Sequence, residues 1–141
     1  MKSMSRSEEG PKAVVLGVDI GGTNTKLGFV DREGKCLVST SMPTDSNQPA
    51  ELFFQRLQQN SDSVFQELKG GHQLAGIGIG APNANYHRGT IEHPPNLGWE
   101  FVDVRAELAK LYGIPSAVTN DANAAALGEG LFGAARGMKD F

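Results

Sequence analysis

Three short stretches of this chain carry residue types that could do chemistry together. The first is Asp19-Ile20-Gly21-Gly22-Thr23-Asn24-Thr25-Lys26. A carboxylate there precedes a double glycine followed by hydroxyl and amide side chains. Glycines let backbone N–H groups approach an anion without interference from Cβ. Thr23, Asn24 and Thr25 add side-chain donors, and Asp19 has the chemistry to hold Mg²⁺ through water. The second stretch is Asn120-Asp121-Ala122-Asn123. Asp121 can accept a proton from a substrate hydroxyl while Asn120 fixes a neighbouring hydroxyl. The third is Pro94-Pro95-Asn96-Leu97-Gly98-Trp99, in which Asn96 offers both donors and acceptors to a polyhydroxylated ligand.

Each stretch also has a plainer reading. The double glycine can be an ordinary hairpin turn. Asn120 or Asp121 can be a helix N-cap, although Asn123, inside the first turn, cannot be that same cap. Trp99 is either a stacking surface or a buried anchor, and anchor is favoured. Two apparent motifs fail on inspection. Gly76-Ile77-Gly78-Ile79-Gly80-Ala81 fits a loose dinucleotide fingerprint, but Pro82 and Asn83 follow where a helix would have to open. His87 and His93 have no matching Cys or His partners for a metal site. There is no G-x-x-x-x-G-K-[ST] phosphate loop.

The elements that must position these residues follow from apolar periodicity. Ala13 to Ile20 is a continuous apolar run with β-branched residues, which predicts a buried strand ending on the Asp19 carboxylate. Lys26–Val30 and Lys35–Ser41 predict two more strands, joined by short turns into an antiparallel meander. Residues 43–49 read as loop. From Ala50, Leu52, Phe53, Leu57, Val64, Phe65 and Leu68 recur on one helical face, ended by Lys69-Gly70-Gly71. Leu74–Gly80 alternates as a strand with one face of glycine, which implies close approach of another element. Residues 82–99 read as one long loop. Val102–Tyr112 predicts a helix, Ala117–Asn120 a short strand, and Asp121 to about Leu131 an Ala-rich helix. The order β-β-β-α-β-(loop)-α-β-α predicts a mixed α/β sheet flanked by helices.

Composition narrows the partners. The chain has 141 residues, 39% hydrophobic and 21% charged, with a net charge of −3. That size suits one domain with one core, and the charge gives no pull toward nucleic acid or anionic membrane. No run approaches the roughly 18 apolar residues a membrane-spanning helix needs. The single cysteine, Cys36, excludes an internal disulfide, fits a reducing cytoplasm and reads as a small core-compatible side chain within a strand. Residues 1–12 read as a flexible tail without the apolar region of a secretory signal.

Taken in order, Leu16-Gly17-Val18-Asp19-Ile20-Gly21-Gly22-Thr23, Gly76 to Pro82, Asn96-Leu97-Gly98-Trp99 and Asn120 to Glu129 resemble the motifs of the ROK-family sugar kinases. The resemblance implies a ribonuclease H-like lobe of the actin/hexokinase ATPase type, with a mixed five-stranded sheet, spanning 13–137. It implies ATP-dependent phosphorylation of a hexose hydroxyl, with glucose the favoured sugar and fructose, mannose or an N-acetyl sugar as alternatives. Asp121 then corresponds to the catalytic base. Gly80, Ala81, Asn96, Asn120 and Asp121 correspond to sugar contacts. Asp19, Gly21, Gly22, Thr23 and Asn24 correspond to the site for Mg²⁺ and the ATP phosphates. The resemblance also admits a homodimer.

Two departures accompany it. Many relatives have glycine after the proline, where this chain has Asn83. The second phosphate motif, the adenosine-binding segment and the Cys-rich structural zinc motif belong to a C-terminal lobe, for which 138–141 would begin the link. The same family includes sugar-sensing repressors, which carry a winged helix-turn-helix ahead of the Asp-Ile-Gly-Gly strand. Only Met1 to Ala13 stand in that region here, too few for such a module. A non-enzymatic actin-like scaffold would have no need of Asn96 with Asn120-Asp121.

Overall fold

The computed structural model describes residues 11–119. Strands β1 (Lys12–Ile20), β2 (Asn24–Val30) and β3 (Cys36–Pro43) form the expected meander. Helix α1 (Ala50–Phe65) follows, then β4 (His72–Gly80). Three short strands come next, β5 (Ala84–Asn85), β6 (Thr90–Glu92) and β7 (Phe101–Asp103). Helix α2 (Val104–Leu111) and β8 (Ser116–Thr119) complete the described elements.

The main sheet has the order β3-β2-β1-β4-β8. β1, β2 and β3 pair antiparallel, whereas β1, β4 and β8 run parallel. β1 is central, which explains its unbroken apolar run. Val14, Leu16, Val18 and Ile20 enter the large core, while Val15 is buried on the other face beside Ala13 and Ala117. The glycines of β4 alternate with Ile77 and Ile79 of the large core, so they occupy the second face. There the register sets Ser39, Gly28, Gly17, Gly78 and Ala117 side by side across all five strands. A Cβ on Gly28 would lie 3.0 Å from the Ser39 Cβ and 3.1 Å from the Cys36 sulfur, so this face is thin by construction.

Helix α1 buries Phe53, Phe54, Leu57, Ser61 and Val64 against the sheet. Phe54 replaces Leu52 on the expected face, because Leu52, in the first turn, remains 39% exposed. The helix ends at Phe65, before Gly70 and Gly71, both of which take positive φ.

Three further expectations are corrected. Residues 82–99 are not one loop, since β5 and β6 pair there and β6 pairs with β7 in a small antiparallel sheet. Strands of two or three residues are too short to show a period. Helix α2 begins at Val104 rather than Val102, because Val102 pairs with Ile91 and the Asp103 carboxylate caps the helix by accepting from the Ala106 N–H at 3.1 Å. Cys36 is exposed, not part of the core. β1 begins at Lys12, whose N–H donates to the Gly71 carbonyl at 3.0 Å. The predicted tail, terminal helix and link otherwise fall outside the described residues. Among these, no helix is long and apolar enough to cross a membrane.

The two helices are joined by polar contacts. Gln58 donates to the Leu111 carbonyl at 2.8 Å, and the Ser61 and Tyr112 hydroxyls are 2.6 Å apart. Burial pushes the Tyr112 hydroxyl up to about 12; the Ser61 hydrogen bond opposes this and the nearby Asp62 charge reinforces it. An unfolded tyrosine ionises near 10. Between about pH 10 and 12 the unfolded chain therefore loses a proton that the folded chain keeps, and stability falls as pH rises through that window. The chain has two tyrosines, so Tyr86→Phe leaves Tyr112 as the sole reporter. Its tyrosinate absorbance is expected to rise with a midpoint near 12, and a midpoint near 10 would refute this account.

Candidate functional site

The parallel register brings three strand ends into one row. Asp19 of β1 stands opposite Gly80 of β4, and Gly80 stands opposite Thr119 of β8. The Ala81 N–H continues the pairing to the Thr119 carbonyl at 3.0 Å. Ligands of α/β sheets gather outside the carboxyl ends of parallel strands. Gly80 and Ala81 are buried and offer backbone at this edge. Asp19 is half-buried, and its carboxylate makes no hydrogen bond or ion pair with a described residue. A single free carboxylate is the donor set that suits Mg²⁺, which keeps most of its waters and shares the rest with substrate phosphates. No group of three or more His, Cys, Asp or Glu suited to a metal is found among the described residues.

Directly after Asp19 and Ile20 the chain enters the glycine turn. The Gly21 N–H donates to the Asn24 carbonyl at 3.0 Å. A Cβ at Gly21 would lie 2.7 Å from that same oxygen, so the turn requires glycine there. Gly22, Thr23 and Asn24 are exposed on its outer side. Its inner side rests on Thr44, which is fully buried. The Thr44 N–H donates to the Thr23 carbonyl at 2.9 Å, and the Thr44 hydroxyl donates to the Gly21 carbonyl at 2.7 Å. Thr25, also fully buried, approaches the Thr44 hydroxyl at 2.8 Å. From α1, Arg56 donates one guanidinium nitrogen to the Pro43 carbonyl at 2.7 Å and the other to the Thr44 carbonyl at 2.8 Å. Sequence reading missed Thr44 and Arg56. The only trace was a cation one turn beyond Phe53 on a helix whose neighbouring face is apolar.

The Asn96 loop lies against this turn. A Cβ on Gly22 would be 3.1 Å from the Asn96 carbonyl oxygen and 3.2 Å from its Cβ. The structure therefore brings together the glycine turn and Asn96, which are more than seventy positions apart in the chain. Asn96 is exposed, with φ of 64°. Beyond it the Gly98 N–H donates to the Ser46 hydroxyl at 3.1 Å and the Trp99 indole donates to the Gln48 carbonyl at 2.9 Å. Trp99 is buried and meets Phe53 edge-on with ring centroids 5.2 Å apart, which makes it the anchor rather than a stacking surface.

Among the described residues, the non-glycine positions with left-handed φ are Asp45, Asn83, His93 and Asn96. All lie in the loops that border the strand ends, and Asp, Asn and His tolerate this region better than other side chains. Asn83 explains how the turn after Pro82 manages without glycine. It adopts φ of 58°, and its amide donates to the His93 carbonyl at 2.9 Å. Its own carbonyl accepts from Glu92 at 3.2 Å. Asn83 thus links the Gly80-Ala81 segment to the start of the Asn96 loop. Asn120, Asp121 and Asn123 lie outside the described residues.

The mixed five-stranded sheet, with a glycine turn after its central strand, defines an α/β lobe of the actin/hexokinase ATPase type. The ROK family model matches residues 15–141, and the chain belongs to that family. It is 34% identical over 131 residues to a glucokinase of Streptomyces coelicolor, covering 90% of this chain and 38% of that protein. It is 28% identical over 121 residues to the xylose repressor of Bacillus subtilis, covering 86% of this chain and 32% of the repressor. The fold matches a ROK family glucokinase from Streptomyces griseus solved in complex with glucose and AMPPNP, with a TM-score of 0.68 and 34% identity over 85% of this chain and 37% of that one. The chain thus spans well under half the length of these relatives.

Asn83 yields a test of the loop. Asn83→Gly keeps the left-handed backbone and loses the amide, while Asn83→Ala also adds backbone strain of about 1 kcal/mol. Urea denaturation is expected to rank wild type above Asn83→Gly and Asn83→Gly above Asn83→Ala. Equal midpoints for the two variants would show that the backbone conformation is not a constraint there.

Proposed function

We propose that this chain is the N-terminal lobe of an ATP-dependent hexose kinase, with glucose the favoured sugar. The observation that carries the reading is the meeting of Asp19, Gly80 and the glycine turn with Asn96 at one edge of the sheet. Phosphoryl transfer asks a protein mainly for positioning and charge neutralisation. In the proposed site Gly21, Gly22, Thr23 and Asn24 bind the ATP phosphates and Asp19 faces the Mg²⁺ that travels with them. Bound Mg²⁺ supplies charge neutralisation on the phosphate oxygens. Gly80, Ala81, Asn96 and Asn120 hold the sugar hydroxyls.

Asp121 follows Asn120, the first residue beyond β8, and is proposed as the general base. The sugar oxygen forms the new bond to the γ-phosphorus, the bond from that phosphorus to the β-bridging oxygen breaks, and ADP leaves. The hydroxyl proton passes to the Asp121 carboxylate. The nucleotide has to be clamped against the sugar, an alignment worth roughly 7–11 kcal/mol, and that is assigned to the part of the protein beyond this lobe. The similarity to xylose repressors supports a second reading, a sugar-binding regulator that transfers no phosphate.

The intact protein, assayed with ATP, Mg²⁺ and a panel of glucose, fructose, mannose and N-acetyl hexosamines, separates the two. Sugar binding without ADP release favours the regulator. In an active enzyme Asp121→Asn is expected to lower kcat on the order of 10²–10⁴-fold with sugar binding kept; near-normal turnover would return Asp121 to helix capping. Asp19→Ala is expected to weaken MgATP use far more than sugar binding, and calorimetry showing the opposite would remove Asp19 from the phosphate site. Met1–Phe141 alone is expected to show no turnover that tracks with the purified chain.

A further inference from the structure

The contacts of the segment 43–48 reach both halves of the site, through Thr44 to the glycine turn and through Ser46 and Gln48 to the Asn96 loop. We propose that Thr44 is a positioning residue for the phosphate-binding turn, and that the strap 43–48 holds this turn and the Asn96 loop in one fixed relation. The catalytic part of this statement rests on the kinase reading above.

The geometry begins with one hydroxyl hydrogen. Thr44 spends it on the Gly21 carbonyl at 2.7 Å, so in the 2.8 Å contact between the two threonines Thr25 is the donor. A trans peptide is planar, with its C=O and N–H on opposite sides. Holding the Gly21 carbonyl inward on Thr44 therefore turns the Gly22 N–H outward. That N–H makes no hydrogen bond with a described residue, and Gly22 is exposed. An outward, unpaired N–H in a glycine turn is the donor that an anion requires. The second Thr44 bond, from its N–H to the Thr23 carbonyl at 2.9 Å, fixes the far side of the same turn.

Arg56 in turn fixes Thr44. Its fork takes the Pro43 and Thr44 carbonyls at 2.7 and 2.8 Å, a planar two-point grip that a lysine ammonium does not reproduce. At its other end the strap receives the Gly98 N–H on Ser46 and the Trp99 indole on Gln48. Both contacts belong to the loop that presents Asn96. One short segment thus ties the glycine turn to the Asn96 loop, and neither can shift freely without it.

Thr44→Val keeps the shape and removes the hydroxyl. In the intact kinase it is expected to raise KM for MgATP about tenfold, as the half-buried Gly21 carbonyl loses its donor, with a smaller change in kcat and little in KM for the sugar. Thr44→Ser restores the hydroxyl and is expected to return that KM to within about twofold of wild type. Arg56→Lys leaves Thr44 in place and should move the same KM in the same direction, which keeps the test available if Thr44→Val folds poorly. A second arm needs no turnover. Amide hydrogen exchange over Gly21–Asn24 and over Gly98–Trp99 is expected to accelerate together in Arg56→Lys. An unchanged KM for MgATP in both Thr44→Val and Arg56→Lys, with exchange over Gly21–Asn24 also unchanged, would make Thr44 purely structural and overturn the proposal. Acceleration at only one of the two segments would overturn the fixed relation between them. A wild-type protein that phosphorylates no hexose would remove the kinase reading, and the exchange arm would then decide the strap by itself.

Discussion

A buried hydroxyl with nowhere else to turn is the constraint on which the site depends. Thr44 and Thr25 are both fully excluded from solvent, so each must find its partners inside the protein. They find them in each other and in the carbonyls of the glycine turn. Leaving such a group unpaired costs about 1–3 kcal/mol, which is enough to hold a short turn in one shape. The exposed face of the turn inherits its order from this buried underside.

The sheet supplies the second constraint. Because β1, β4 and β8 are parallel and in register, Asp19, Gly80 and Thr119 end at the same level. The antiparallel partner β2 returns from that edge immediately, so the turn between β1 and β2 falls at the same place. A crossover through α1 separates β3 from β4, and α1 also carries Arg56 and Phe53. The helix therefore packs the core and anchors the loops with side chains only three residues apart: Arg56 grips the strap, while Phe53 meets the ring of Trp99.

Membership in a family that includes both glucokinases and xylose repressors is consistent with this layout. A sheet edge bordered by two loops suits the sugar site proposed above, whether or not a phosphate is transferred. What would distinguish an enzyme is the use made of the glycine turn and of the Asp19 carboxylate that precedes it. Asp19, without a partner among the described residues, stands at the sheet edge for such a role.

Much of this was legible in the chain itself. The apolar run of β1, the alternation of Ile77 and Ile79 with glycine in β4, and the helical spacing of Phe53, Leu57 and Val64 are local periodicities that burial enforces, so the strands, the first helix and their order could be read directly. The types of Asp19, Gly21, Gly22 and Asn96 marked them as candidates, because few other residues supply a carboxylate, unshielded backbone N–H groups or an amide. Tertiary structure alone decided the rest. The small sheet between Ala84 and Asp103 arises from pairings too short to leave a period. Cys36 faces outward because a bulge between Phe29 and Val30 shifts the pairing of β2 with β3 at that point. Thr44, Arg56 and Asn83 look like ordinary loop and helix residues, because a hydrogen bond to a backbone carbonyl many positions away leaves no pattern in the amino acids between.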